Sequence, residues 1–506
     1  MSVYPTFPDH STGVIVMSKL ARLFGLKDAT HEGLRIAKIL AILLPIFAGV
    51  FQISTTFYMI FIATSLGGGD YIAGLALVGI LVVIQMGIQV ALDYPTAALG
   101  DWIGHRWIIA SSLVCYAIAY WITAQVTIFT PFPYFVLIYV LFGLGASQES
   151  GAFQAWFDNN YRVAMPKDKD RKQYGVFSGR LGMVFQIASI AVLIPGSVIA
   201  TMFNRQLVFL IQAILSLIIA LIVVIVVRDL PGVRKPNEGR PSLSEYGSIL
   251  KDGVKFSFSS KFVGFTIFGE VLIWATGTLW WNILLFPLYF AFLFSDVMVS
   301  FFRTVIFAPE AIIQERSGVL AKRFDPVKWV PRFRFLQFVG FLFYMLLAMT
   351  TYFFPPPPTP DPLMLIPIPW ISLFPFPHLV TIFLAIPFAS IIPVSLIFGI
   401  FLIGELFASL ANILHSRVMI DVVPTRFRNS LYSFRPTLAL LLGMPLLIIF
   451  SLFLPIYGFP LTFSAVSLVS LLGWYLTRKG YSHPIEKAQD LPDALAEEIE
   501  TERPPI

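Results

Sequence analysis

The sequence predicts an all-α polytopic membrane protein in which twelve transmembrane helices form two sets of six. Three observations carry that prediction. Of the 506 residues, 57% are hydrophobic and only 13% charged, well above the ~45–50% apolar content of a soluble domain, and mean hydropathy is +0.79. Apolar runs recur along most of the chain, each near the ~20 residues that cross a ~30 Å hydrocarbon core. One long polar stretch, Arg228 to Lys255, divides them into halves.

The first half holds candidate spans at 37–64, 71–96, 107–127, 133–158, 175–200 and 205–227; the second at 262–291, 297–318, 333–354, 380–416, 430–453 and 458–477. Five regions follow: an N-terminal segment 1–35, a six-helix bundle 36–228, a linker 229–258, a second bundle 259–478 and an acidic tail 479–506. In the first region, "SKLARLFGLK" (Ser18 to Lys27) interleaves leucines with basic residues, the pattern of a helix lying on a membrane surface. It lacks the compact apolar core and small-residue cleavage site of a signal peptide. The linker stretch "SLSEYGSILKDGVKF" reads as a second surface helix. "FFPPPPTPDP" (Phe353 to Pro362) reads as an extended polyproline spacer. The run Asp361 to Arg417 is too long for one helix and rich in proline, so a re-entrant or interfacial piece is expected before the tenth span.

Orientation comes from the basic residues. They gather in alternate loops, as Arg106, then Arg162 to Lys172, then Arg316 to Arg334, then Arg417, Arg426 and Arg428, with Arg205 the main exception. The positive-inside rule therefore puts both termini in the cytoplasm, and a plasma-membrane location is expected. The net charge of +6 lies beside apolar spans without a continuous basic domain. Lipid headgroups, not nucleic acid, are the partners this implies. A monomer is expected. The single cysteine, Cys115, permits no intramolecular disulfide and reads as a small apolar residue.

Between the second and third spans stands "LDYPTAALGDWIGHRW" (Leu92 to Trp107). Gly104 supplies the unusual backbone conformation of a tight turn. Asp101 and Arg106 flank it, able to reach the unpaired N–H or C=O groups of neighbouring helix ends, and Asp93 belongs to the same polar network. The stretch resembles the signature loop of the major facilitator superfamily, G-x-L-x-D-x-x-G-R-R/K. Leu99, Asp101, Gly104 and Arg106 match, Ala97 stands where the first glycine is usual, and His105 replaces the first basic residue. "SGAFQAWFDNN" (Ser150 to Asn160) and "VVPTRFRNSLYSF" (Val422 to Phe434) resemble the end of the family's fourth helix and the entry to its eleventh. "SGVLAKRFDPVKW" (Ser317 to Trp329) looks like a decayed copy of the signature loop. The resemblance implies two six-helix bundles rocking about a central site. It also implies a cytoplasmic latch: Asp101 docked on the amides near Asn429 and Ser430, and Arg106 reaching Asp158. Span five offers only "IPGSVIA" (Ile194 to Ala200), a departure from the glycine-rich antiporter motif of the family's drug exporters.

Ionisable residues within a span cost about 2.5–3.5 kcal/mol each at its centre, so each signals a function or a partner. The candidates are Glu149 in span four, Glu270 in span seven, Arg303 and Glu310 in span eight, and Glu405 in span ten. Glu149 and Glu405 each follow a Phe-Gly pair by the same interval, as a duplicated acid would. Arg303 and Glu310 lie two turns apart on one helix face. Such groups suit proton coupling, binding of a charged solute, or interhelical ion pairs that brace the bundle, and all three stay open. Gln52, Gln85, Gln89 and Gln186 are candidates to line a cavity or bridge helices. Aromatic residues make up 15% of the chain, and Trp280 and Trp281 could line the site, which leans toward hydrophobic or amphipathic solutes.

The leading reading is a secondary transporter of a small solute, coupled to protons. The alternative is a non-transporting receptor or scaffold of the same fold. A membrane enzyme or ATP-driven pump is disfavoured: the sequence has no metal-spaced His/Cys cluster, no phosphate-binding glycine loop and no nucleophile with a nearby histidine. No cofactor and no metal are expected.

Overall fold

The computed structural model describes residues 30–150, 152–166, 172–230, 254–321, 323–358, 363–365, 385–422 and 428–485, with isolated positions at 24, 26, 168, 233 and 251. Most of the N-terminal segment, the linker helix and the acidic tail thus lie outside the described residues. Phe24 and Leu26 are described: both are buried in the core, Phe24 with its ring 5.5 Å from that of Phe177. That part of the amphipathic segment packs on protein.

The chain is a helical membrane bundle. In order the helices are α1 (His31–Gln52), α2 (Thr55–Leu66), α3 (Tyr71–Ile103), α4 (His105–Thr123), α5 (Phe132–Glu149), α6 (Ala152–Ala164), α7 (Lys172–Met202) and α8 (Arg205–Val226). After the linker come α9 (Lys261–Leu279), a π-helical turn (Trp280–Leu284), α10 (Leu285–Leu293), α11 (Asp296–Ala321), α12 (Pro326–Leu336), α13 (Phe341–Phe353), α14 (Ile391–Val422) and α15 (Arg428–Tyr481). Local chemistry sets the ends. Thr30, Asp70, Asn204 and Ser260 accept backbone N–H bonds at the starts of α1, α3, α8 and α9. Gly104, at φ +100°, separates α3 from α4, the role its sequence position predicts. Large side chains such as Ile214, Leu221, Leu468 and Leu472 stay exposed, as a lipid-facing surface requires.

Ten stretches among the described residues are long and apolar enough to cross a membrane, where twelve were expected. Gly458, at φ +71°, breaks α15 into two helices where spans eleven and twelve were expected to meet. The 26-residue helix α11 stands where span eight was expected. Expected spans four and nine are each interrupted. Span four ends at Glu149, and after Ser150 the chain restarts as the polar helix α6; Asp158, Asn159, Asn160 and Arg162 give it too much charge and amide for the bilayer core. Span nine breaks between α12 and α13, where Val339 takes φ +54°. The freed backbone groups are satisfied inside the bundle: Phe338 N–H donates to Gly404 O at 2.7 Å, and Ser470 Oγ donates to Val339 O at 2.9 Å. Interrupted backbone at membrane depth is tolerated when neighbouring helices supply such partners.

Before α14 a short antiparallel ribbon pairs Leu363–Leu365 with Ala385–Pro387. Residues 366–384, where a re-entrant piece was expected, lie outside the described residues.

The two halves meet through α3 against α15 and α7 against α11. That crosswise pairing is what a two-fold relation between the halves produces. At the end carrying Arg205, the halves are tied by polar contacts. Arg205 forms a bidentate ion pair with Asp296, Nε to Oδ2 at 2.7 Å and Nη2 to Oδ1 at 2.8 Å. Thr56 Oγ1 and Ser300 Oγ share a buried hydrogen bond at 2.7 Å. Gly79 faces Ser451 across the junction so closely that an added Cβ would lie 2.1 Å from its Oγ and 3.2 Å from Ile283 Cδ1.

Candidate functional site

The central cavity is built where helices are interrupted. In the first half, α1 and α2 are separated by Ile53 and Ser54; at the corresponding place in the second half, α9 passes through the π-turn Trp280–Leu284 into α10. Paired interruptions in equivalent spans free backbone groups and turn side chains inward, so they mark a binding site in transporter-like bundles. A π-turn widens the helix by one residue and is common at functional sites. Here it buries Trp280 among Phe338, Phe343, Tyr344 and Phe463, while Trp281, whose ring also meets Phe338, and Asn282 line the cavity.

Three chambers meet at Trp281. The first, about 230 Å³, lies between Ser54, Thr55, Tyr58, Gln85 and Tyr120 of the first half and Trp281 and Asn282 of the second. The second, about 160 Å³, shares Thr55, Trp281 and Phe286 with it and adds Gln52, Arg303 and Phe307. The third, about 390 Å³, shares Trp281 and Asn282 with the first and is walled by Gly277, Arg334, Gln337, Glu405 and Asn412. Residues of both halves thus line the aromatic and polar surroundings of Trp281.

Arg303 is 4% exposed, and its guanidinium is packed on rings: 3.8 Å from the centroid of Phe307, 4.8 Å from Trp281 and 5.7 Å from Phe401. Rings take the faces of a guanidinium, while its five N–H donors point outward in the plane. Glu270 sits in a different setting. Arg334 Nη2 donates to its Oε2 at 2.6 Å, and Arg334 Nη1 donates to Gln337 Oε1 at 2.6 Å and Asn412 Oδ1 at 2.8 Å. This pair, 2% and 1% exposed, joins α9, α12 and α14. Arg334 was read from sequence as one of the loop cations; the structure buries it with Glu270 and two amides accepting from its Nη1 and Nη2 groups.

Of the other candidates, Gln52, Gln85 and Glu405 line the chambers, whereas Gln89 and Gln186 are half-buried on α3 and α7. Glu149 closes α5 rather than lying mid-helix. The side chain of Glu310, on α11, lies outside the described residues. Among residues the sequence reading missed, Gln212 Nε2 donates to Val50 O at 2.7 Å from a fully buried position, bridging α8 to α1. Tyr58, Tyr120 and Tyr139 line the first chamber. A short polar break inside an apolar run, "FQISTTF" in one half and "TGTLWWN" in the other, is the signal that would have found the site.

The signature loop is described only in part. The side chains of Ala97, Asp101, Asn429 and Ser430 lie outside the described residues. Leu99 is exposed and Asp93 is exposed at the far end of α3. His105 is buried, its Nε2 3.5 Å from Asn159 Nδ2 on α6. Arg106 lies over the Trp107 ring at 5.0 Å, and Asp158 accepts a hydrogen bond from Tyr174 Oη.

The sequence matches the Major Facilitator Superfamily over residues 39–366. No curated protein matches it. Among solved structures it is similar to a variant of the nucleoside transporter NupG, with a TM-score of 0.62 at 14% identity over 87% of this chain and 99% of that one. It is also similar to a bacterial homologue of the human lysosomal transporter Spinster in an inward-facing, unoccupied conformation, with a TM-score of 0.58 at 13% identity over 88% of this chain and 96% of that one. Identity this low establishes the shared fold.

Proposed function

Because the chain belongs to the Major Facilitator Superfamily, a family of membrane transporters, we propose that it is a proton-coupled secondary transporter that moves a small amphipathic solute by alternating access. The observation that carries this reading is the set of chambers around Trp281, walled by both halves at their paired interruptions. A solute held there touches both bundles, so its binding biases how they sit against each other. The tyrosines and Trp281 suit an apolar or aromatic body, and the in-plane donors of Arg303 suit an anionic group. Glu405, in the chamber that also holds Arg334, is the carboxylate we assign to the proton.

In this reading the Arg205 end is the extracytoplasmic side, both termini are cytoplasmic, and the monomer sits in the plasma membrane. Asp101, with Ala97, Leu99, Gly104, His105 and Arg106, forms the latch that shuts the opposite side against Asp158, Asn429 and Ser430. Asp101→Asn weakens that latch; the measurement is labelling of a cytoplasmic cysteine probe, and unchanged accessibility would refute the role.

The main test is solute-driven pH change in proteoliposomes, screened over sugars, amino acids, organic anions and lipophilic cations. Proton flux driven by one solute and lost in Glu405→Gln supports the reading, with Glu149→Gln and Glu310→Gln as comparisons. Flux of a solute without protons would make it a uniporter. No flux of any solute by a folded protein would favour a receptor or scaffold.

A further inference from the structure

We propose that a groove between α12 and the end of α15 binds the headgroup of an anionic phospholipid. The groove encloses about 690 Å³, and its charged lining residues are Lys328, Arg332 and Arg478, with no carboxylate among the lining residues. All three cations are exposed. Arg332 lies over the Trp329 ring at 5.0 Å and Arg478 over the Trp474 ring at 5.3 Å, so each cation packs on an indole while lining the groove. Trp474 Nε1 donates to Pro331 O at 2.8 Å, fastening the two walls together.

The location selects a lipid over a soluble anion. Both walls are ends of membrane-crossing stretches, Pro326–Phe353 and Thr437–Tyr481, which places the cations at headgroup level. The apolar side chains Phe335 and Leu336 continue the groove along the span, where an acyl chain would lie. Three like charges held close together repel one another, and an anionic headgroup relieves that repulsion with charge-assisted hydrogen bonds. Basic pockets between transmembrane helices bind such headgroups, and tryptophan favours the same depth. The site is separate from the chambers around Trp281 and does not depend on what they carry.

The test is native mass spectrometry of the full chain released from nanodiscs containing equal amounts of phosphatidylglycerol and phosphatidylcholine with matched acyl chains. The expected result is preferential retention of phosphatidylglycerol, falling roughly fivefold for each groove cation removed. Arg332→Gln/Arg478→Gln should lose the preference, Arg332→Lys/Arg478→Lys should keep most of it, and Arg323→Gln, an exposed cation outside the groove, should leave it intact. Melting temperatures report whether each variant folds, and Lys328→Gln alone serves if the double variant does not. Equal retention of both lipids, or a preference unchanged in the groove variants, overturns the proposal. So does complete displacement of the lipid by millimolar glycerol 3-phosphate, which would identify a soluble phosphate site.

Discussion

Two arginines lie buried in the second half, in contrasting company. Arg334 is held by a carboxylate from α9 and two amides, Asn412 on α14 and Gln337 just past the end of α12. Arg303 is held by aromatic rings beside a chamber that both halves line. A charge taken out of water needs compensation, and the two sites provide it differently: at Arg334 an ion pair and two amides fix one geometry, whereas at Arg303 three aromatic rings pack against the cation beside a chamber. The contrast teaches that a buried arginine in this fold reads as a brace where a carboxylate and amides hold it, and as a candidate contact for solute where aromatic rings pack it beside a chamber.

The largest effect should come from breaking the brace. Glu270→Gln leaves Arg334 with a neutral partner, and loss of one member of a buried pair costs about 3–5 kcal/mol. The expected outcome is a sharp fall in melting temperature in detergent, with much of the loss recovered when Arg334→Met is added. If Glu270→Gln melted like the parent, the pair would not be structural. Arg303→Met should tell first in function: it forfeits cation–π contacts of up to about 2 kcal/mol, and solute binding or flux should be lost. A variant that binds solute normally would remove Arg303 from the site.

The inter-half pair at Arg205 is smaller again. It is partly exposed, so screening limits its contribution to about 1 kcal/mol. Asp296→Asn should raise labelling of a Ser54→Cys probe from the Arg205 side by roughly fivefold in a Cys115→Ser background. The double exchange Arg205→Asp/Asp296→Arg should restore the parent rate. Smallest is His105→Gln, which keeps a polar contact to Asn159 and should leave melting within about 0.5 kcal/mol of the parent.

Much of this was readable from the residues. Apolar runs set the spans because nothing else stabilises a chain in hydrocarbon, and Gly104 announced its turn because it alone escapes the Cβ clash. The signature loop announced the family. The breaks were harder: Val339 looks like an ordinary strand or helix residue, and its positive φ exists because Thr276 and Ser470, distant in sequence, take its carbonyl. Arg334 was misplaced for the same reason. A charge count along the chain cannot see that Glu270, 64 residues earlier, waits beside it. Polarity within apolar spans nominated Gln52, Gln85, Arg303 and Glu405, and aromatic content nominated Trp281, but no periodicity foretold that Trp281 borders all three chambers.

Gly79 offers a different kind of handle. The halves pack this closely at Gly79 because position 79 carries a hydrogen where any other residue would drive a carbon into Ser451 and toward Ile283. One added methyl group is therefore a wedge. If the bundles rock as we propose, Gly79→Ala should hold them in the opposite arrangement, which can then be trapped and imaged.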